Sequence, residues 1–197
     1  MPAKTIEFLY DFGSPAAYIA HCRLKGIAAR TGASVVHVPI LLGGVFKATG
    51  NSAPMMVPAK GRYTSMDLMR FVARDGVPFA FNPHFPINTV VLMRLATALR
   101  DDAGYLRFVD AAFDAMLHLP HNLVDPAEVA AMLAAAGFDA AAVLALAETQ
   151  AVKDRLRAET DAAVARGVFG APTFFVGEEM WFGQDRLDWV EAAVTCA

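Results

Sequence analysis

Strand-like sequence lies at the two ends of this chain, and about a hundred residues of helical period lie between them. That arrangement narrows the fold more than any single motif. Residues 4–10, ending Thr5-Ile6-Glu7-Phe8-Leu9-Tyr10, alternate and are β-rich, which predicts a strand. Residues 15–30 carry Tyr18, Ile19, Cys22, Leu24 and Ile27 near helical spacing, with Gly32 as a stop. Ser34-Val35-Val36-His37-Val38-Pro39-Ile40 predicts a second strand, so the chain opens with a βαβ unit and a parallel pair. From 63 to about 166 the period is helical, with helices expected over 64–74, 88–100 and 102–118. Asp125-Pro126-Ala127-Glu128 reads as a cap, a proline at the first helical position and a reciprocal Glu, opening a helix that ends at Gly137. Asp139 caps the next, which runs to Gly167 with a break near 150. Pro172 to Val176, a Gly177-Glu178 turn and Glu179 to Phe182 then predict a hairpin, and Asp185 to Val194 a closing helix. The end strands must meet around an inserted helical region. The expected class is α/β, with 1–62 and 167–197 as one domain and 63–166 as an all-α insertion.

Two stretches fit neither period. Residues 41–62, punctuated by Gly43-Gly44, Gly50-Asn51, Pro54 and Pro58, predict a long irregular segment, and such loops are usually functional or disordered. Its Phe, Met and Val content argues against disorder. Phe81-Asn82-Pro83-His84-Phe85-Pro86 predicts a rigid loop.

Composition removes several function classes. The 197 residues are 56% hydrophobic with net charge −3, which provides a well-filled core. There is no Lys/Arg block, so nucleic acid and anionic membranes have no electrostatic footing. The most apolar stretch, Val129 to Ala147, is broken by Gly137 and Asp139 and reads as two helices of a folded domain, not a membrane span. Met1-Pro2-Ala3-Lys4 runs into a strand without a signal-peptide pattern, so a cytoplasmic protein is expected. Cys22 and Cys196 are too few for a disulfide framework or a zinc site, and His37, His118 and His121 lack metal-ligand spacing, so no metal is expected.

Chemistry concentrates at Asp11-Phe12-Gly13-Ser14-Pro15. Ser14 falls where a helix begins and Pro15 at its first position, where the missing N–H was an orphan donor anyway. The hydroxyl therefore sits at the positive end of a helix dipole, just past a strand's carboxyl end, where open α/β sheets bind ligands. It reads either as a plain N-cap or as a functional group, and the functional reading needs a second element. Gly170-Ala171-Pro172-Thr173 offers one, with Pro172 a candidate cis-proline or an ordinary proline opening an edge strand.

These residues carry a resemblance. Asp11 to Pro15 is followed by Leu42-Gly43 with Phe46-Lys47-Ala48-Thr49-Gly50-Asn51, then Pro58-Ala59-Lys60 with Tyr63, and Asp67-Leu68 with Arg70. The match resumes at Phe85-Pro86-Ile87-Asn88, at Gly167-Val168-Phe169-Gly170-Ala171-Pro172-Thr173 and at Trp181-Phe182-Gly183-Gln184-Asp185-Arg186-Leu187. In this order the motifs resemble the 2-hydroxychromene-2-carboxylate isomerases, relatives of kappa-class glutathione transferases and of the bacterial disulfide oxidoreductase A family. The resemblance implies a thioredoxin-like fold with an inserted all-α helical domain, a glutathione cofactor, a small aromatic substrate and a homodimer. It also implies a reversible addition of the glutathione thiolate to a conjugated carbon, so that the double bond rotates and glutathione is regenerated. Redox relatives carry Cys-x-x-Cys at the helix start, where the dipole lowers a thiol pKa; here Ser14 and Ala17 hold those positions.

By the family's pattern Ser14 is catalytic and donates to the glutathione sulfur. Phe12, Ala171, Pro172, Phe182, Gly183, Gln184 and Asp185 bind the cofactor, with Ala171 pairing like an added strand. Gln184 and Asp185 open the last helix, and Asp185 either takes the glutathione ammonium or is a helix cap. Lys47, Asn51, Lys60 and Phe85 contact the substrate; the two lysines read equally as solvated charges, and His84 with Phe85 as packing. Ala16 and Ala171 stand where the family usually has a large aromatic and valine, which widens the site near the sulfur. The apolar helices over 88–118 and the Met/Phe-rich loop are the expected dimer surface.

Overall fold

The structure, a computed structural model, describes residues 4–196; Met1-Pro2-Ala3, Ala197 and the side chain of Cys196 lie outside it. Strand β1 (Thr5–Tyr10) leads into helix α1 (Pro15–Thr31) and strand β2 (Ser34–Pro39). Seven residues before the C-terminal hairpin, α8 (Gln150–Ala165) closes the helical run formed by α2 (Leu42–Thr49), α3 (Pro58–Asp75), α4 (Val90–Leu99), α5 (Tyr105–Leu117), α6 (Pro126–Ala135) and α7 (Ala140–Ala147). The hairpin of β3 (Thr173–Val176) and β4 (Glu179–Phe182) is followed by a 3-10 turn, Gln184–Arg186, and helix α9 (Leu187–Cys196).

The ends of the chain meet in one sheet of order β2-β1-β3-β4. β1 runs parallel to β2 and antiparallel to β3, with Phe8 opposite both His37 and Phe174. Side chains alternate across it. Ile6, Phe8, Tyr10 and Phe174 join the larger apolar cluster with α1, α4, α5 and α9. Leu9, Val38 and Phe175 face the smaller one with Val45 of α2 and Ala163 of α8. Tyr10, Phe12, Phe108 and Phe113 are fully buried and meet ring to ring, the closest pair being Phe12–Phe113 at 4.8 Å. Each such side chain contributes roughly 1.5–3 kcal/mol by leaving water. Their burial anchors the turn that carries Ser14.

Three expectations change. The segment 41–62 is not irregular: it holds α2, a 3-10 turn at Pro54–Met56 and the first turn of α3. Pro54 and Pro58 sit at helix starts, where proline is tolerated. The expected boundary at 62/63 therefore falls inside a continuous helix. Second, the apolar faces over 88–118 are used inside the molecule: Leu92, Met93, Leu95, Phe108, Val109 and Met116 are all buried. Third, Glu128 does not reach back to its own helix start; it holds His121 Nδ1 at 2.8 Å, while Asp125 accepts from the Ala127 N–H.

Candidate active site

Asp11 organises the turn between β1 and α1. Its carboxylate is 1% exposed. Oδ1 accepts from the Gly13 N–H at 2.8 Å and from the Thr89 hydroxyl at 2.7 Å, and Oδ2 accepts from the Leu42 N–H at 2.8 Å. One side chain thus ties together the turn, the start of α2, which has no cap side chain of its own, and the start of α4. Burial pushes the Asp11 carboxyl up from its ordinary value, and these three donors pull it back.

Ser14 follows in extended conformation (φ −105°, ψ 107°) as the N-cap of α1. Its Oγ accepts from the Ala17 N–H at 3.2 Å, satisfying an orphan donor, and donates its proton to the Ala171 carbonyl at 2.9 Å. The peptide bond between Ala171 and Pro172 is cis. The two elements that the sequence placed 157 residues apart are therefore in direct contact.

The segment before Pro172 is held carbonyl by carbonyl. Asn51 Nδ2 donates to Phe169 O at 2.8 Å, Thr173 Oγ1 to Gly170 O at 2.8 Å, Ser14 Oγ to Ala171 O, and the Gly183 N–H to Pro172 O at 3.0 Å. Phe182 closes over Gly170, where an added Cβ would lie 2.7 Å from its ring.

Gly183 adopts φ +100°, a conformation L side chains rarely enter, and the Asp185 carboxylate folds over it. Gln184 and Asp185 belong to the 3-10 turn ahead of α9, not to the first turn of α9 itself. That turn is tied to α1 by Arg23, which donates to Gln184 O and to Asp188, both at 2.7 Å, and pairs with Asp75 at 3.2 Å. Asp185 is exposed and bonded to Arg186 at 2.8 Å.

The other expected residues are less gathered. Lys47, in the last turn of α2, and Lys60, in the first turn of α3, are exposed and form no ion pair among the described residues. Asn51 reaches the site, but its amide is engaged by Phe169 O. Phe85 is half-buried and precedes a second cis peptide bond, Phe85–Pro86. Phe12, expected among the cofactor-binding residues, has its ring sealed in the aromatic core, because β1 alternation carries past Tyr10 and turns it inward. Sequence reasoning missed Asp11 as the organiser, with Thr89 as its donor, and Arg23 as the tie to the 184–186 turn. The one signal for Asp11 was its place three residues before Ser14, and nothing local marks Arg23.

Away from the site, buried His37 Nε2 lies 3.3 Å from His21 Nδ1, and His21 Nε2 meets Asp110 at 2.6 Å, where Lys25 also binds. Burial and His21 lower His37 to about 4. Cys22 is half-buried, and burial pushes its thiol up, so it is poorly suited to redox chemistry.

The chain is similar to several known proteins. The DSBA-like thioredoxin domain matches residues 5–195. A 2-hydroxychromene-2-carboxylate isomerase of Sphingobium xenophagum is 33% identical over 192 residues, covering 96% of this chain and 97% of that protein. Glutathione S-transferase kappa 1 of Rattus norvegicus is 29% identical, covering 94% and 88%. A solved 2-hydroxychromene-2-carboxylate isomerase superposes with a TM-score of 0.84 at 28% identity, covering 96% of this chain and 93% of that one.

Proposed function

The chain belongs to the DSBA-like thioredoxin family and, within it, to the 2-hydroxychromene-2-carboxylate isomerases, and from that premise we propose that it interconverts 2-hydroxychromene-2-carboxylate and trans-o-hydroxybenzylidenepyruvate, or a close aromatic analogue, with glutathione as cofactor. One observation carries the reading: the Ser14 hydroxyl, at the start of α1, meets the carbonyl beside the cis-proline, and no cysteine stands at 14 or 17. The site can hold a thiol and activate it, yet it cannot form the Cys-x-x-Cys disulfide of redox relatives.

The residues fit a γ-glutamyl thiol peptide. Ala171 offers a carbonyl at a strand mouth for an extended backbone. Asp185 offers an exposed carboxylate for an ammonium. Lys47 and Lys60 offer cations for the carboxylates of cofactor and substrate. Bound glutathione would supply a thiolate that adds reversibly to a conjugated carbon, letting the former double bond turn, and is then released unchanged. The chain's own part is electrostatic. Ser14 has one hydroxyl proton, which Ala171 O holds in this structure. A peptide N–H arriving at Ala171 O takes over that acceptor, and the hydroxyl is free to turn toward a sulfur. The positive end of α1 favours the anion there. Asn51, in this scheme, keeps the Phe169–Ala171 backbone in place.

The test is a thermal shift with glutathione, then isomerisation of 2-hydroxychromene-2-carboxylate with free thiol titrated throughout. Glutathione should raise the melting temperature and remain undiminished as product forms. Consumption of thiol in proportion to substrate would instead mark a kappa-class transferase; absence of any thermal shift would mark a non-catalytic thioredoxin-like module. We also place the homodimer contact on Met55, Met56, Val57, Tyr63 and Met66, all exposed on the 3-10 turn, on α3 or at the junction between them. Light scattering of Met56→Lys against the unaltered protein tests it. A cytoplasmic location belongs to the same proposal; among the described residues no helix is long and apolar enough to cross a membrane.

A further inference from the structure

Phe169 and Phe182 belong to neither apolar cluster. They are 38% and 41% exposed, and their ring centroids lie 4.5 Å apart, tilted by 49°. Large rings left this open on a folded surface are informative when they border a polar site. These do: Phe169 is two residues from Ala171, whose carbonyl holds the Ser14 proton, and the Phe182 ring covers Gly170 between them. The Phe169 backbone is fastened by Asn51, and Phe182 braces its ring. A surface set in advance loses little freedom when a ligand ring lands on it. Gly170 matters for the same reason, since a side chain there would collide with Phe182.

We propose that Phe169, braced by Phe182, is the face on which the aromatic ring of the substrate stacks, and that it sets the preference for aryl over alkyl substrates. This rests on the isomerase reading and names its specificity-determining residue. An offset aromatic pair is worth about 0.5–1.5 kcal/mol beyond area burial, a factor of about two to twelve in discrimination.

The experiment compares kcat/KM for benzylidenepyruvate with that for ethylidenepyruvate in the unaltered enzyme, Phe169→Leu, Phe169→Tyr and Gly170→Ala. The aryl preference should fall about two- to twelvefold in Phe169→Leu, survive in Phe169→Tyr and fall in Gly170→Ala as Phe182 is displaced. The KM for glutathione should not move in Phe169→Leu or Phe169→Tyr. Calorimetric binding of phenylpyruvate against pyruvate to the same four proteins reads the stacking without turnover. If the enzyme does not isomerise, the proposed function fails, while a phenylpyruvate preference lost in Phe169→Leu still upholds the stacking face. An unchanged preference in Phe169→Leu overturns the proposal. So does a loss of glutathione affinity with aryl preference intact, which would assign the rings to the cofactor.

Discussion

Ser14→Ala separates two roles of one hydroxyl. Without ligand, the hydroxyl caps α1 through the Ala17 N–H and ties α1 to the Ala171 carbonyl. Loss of the cap costs about 1 kcal/mol, and loss of the second bond about 1 kcal/mol more. For a chain of this length each kcal/mol moves the melting temperature by about 2–4 °C, so scanning calorimetry should record a fall of about 4–8 °C. In the proposed glutathione complex the same hydroxyl donates to the thiolate. A hydrogen bond to a charged group contributes about 1.5–3 kcal/mol, and 1.36 kcal/mol corresponds to about one pKa unit. The thiol of bound glutathione, followed by its thiolate absorbance, should therefore titrate about one to two units higher in Ser14→Ala than in the unaltered protein. Isomerisation at neutral pH should slow about ten- to a hundredfold in parallel. Ser14→Thr keeps a hydroxyl and should restore most of the thiol ionisation. A fall in melting temperature with an unchanged thiol titration would refute the donor role and leave Ser14 a cap.

Three further outcomes follow from the geometry. Asp11→Asn places an amide opposite the Leu42 N–H, the Gly13 N–H and the Thr89 hydroxyl, so at least one buried donor loses its acceptor; urea unfolding should show a loss of about 1–3 kcal/mol, and an unchanged midpoint would contradict the organising role. His37 is held to about 4 in the fold against an ordinary 6.5, so the unfolded chain binds its proton first. Its contribution to stability is complete above about pH 6.5 and lost as pH falls toward 4; in His37→Gln, which still faces His21 with Asp110 and Lys25 behind it, the slope of stability across that window should flatten. Arg23→Met frees the 184–186 turn from α1 and should raise the KM for glutathione several-fold while leaving kcat at saturation unchanged; equal loss in both would mean general disruption instead.

Much of this fold was legible locally. The β-rich runs over residues 4–10 and 34–40, the caps at Asp139 and Asp125, and the Gly177-Glu178 turn each announce their element through a few neighbours, and each stands within a residue of where expected. The misreadings share one cause. Pro54 and Pro58 punctuate a loop equally well as they open a helix, and the start of α2 is satisfied by Asp11, 31 residues away. Apolar helices over 88–118 look the same whether they face a second subunit or, as here, their own core.

The sequence by itself determined the local features on which the proposed chemistry rests: a hydroxyl at a helix start, no cysteine beside it, and a Gly-Ala-Pro step at a strand mouth. These are properties of backbone propensity and residue type, which act over a few positions. Tertiary structure decided how they combine. It brought Ser14 to Ala171 across 157 residues and Asn51 to Phe169 across 118. It turned Phe12 into the core and left Phe169 open at the rim. Both are phenylalanines near Ser14 or Ala171, and only the burial of everything around them distinguishes the one that packs from the one left exposed, which we propose meets the substrate.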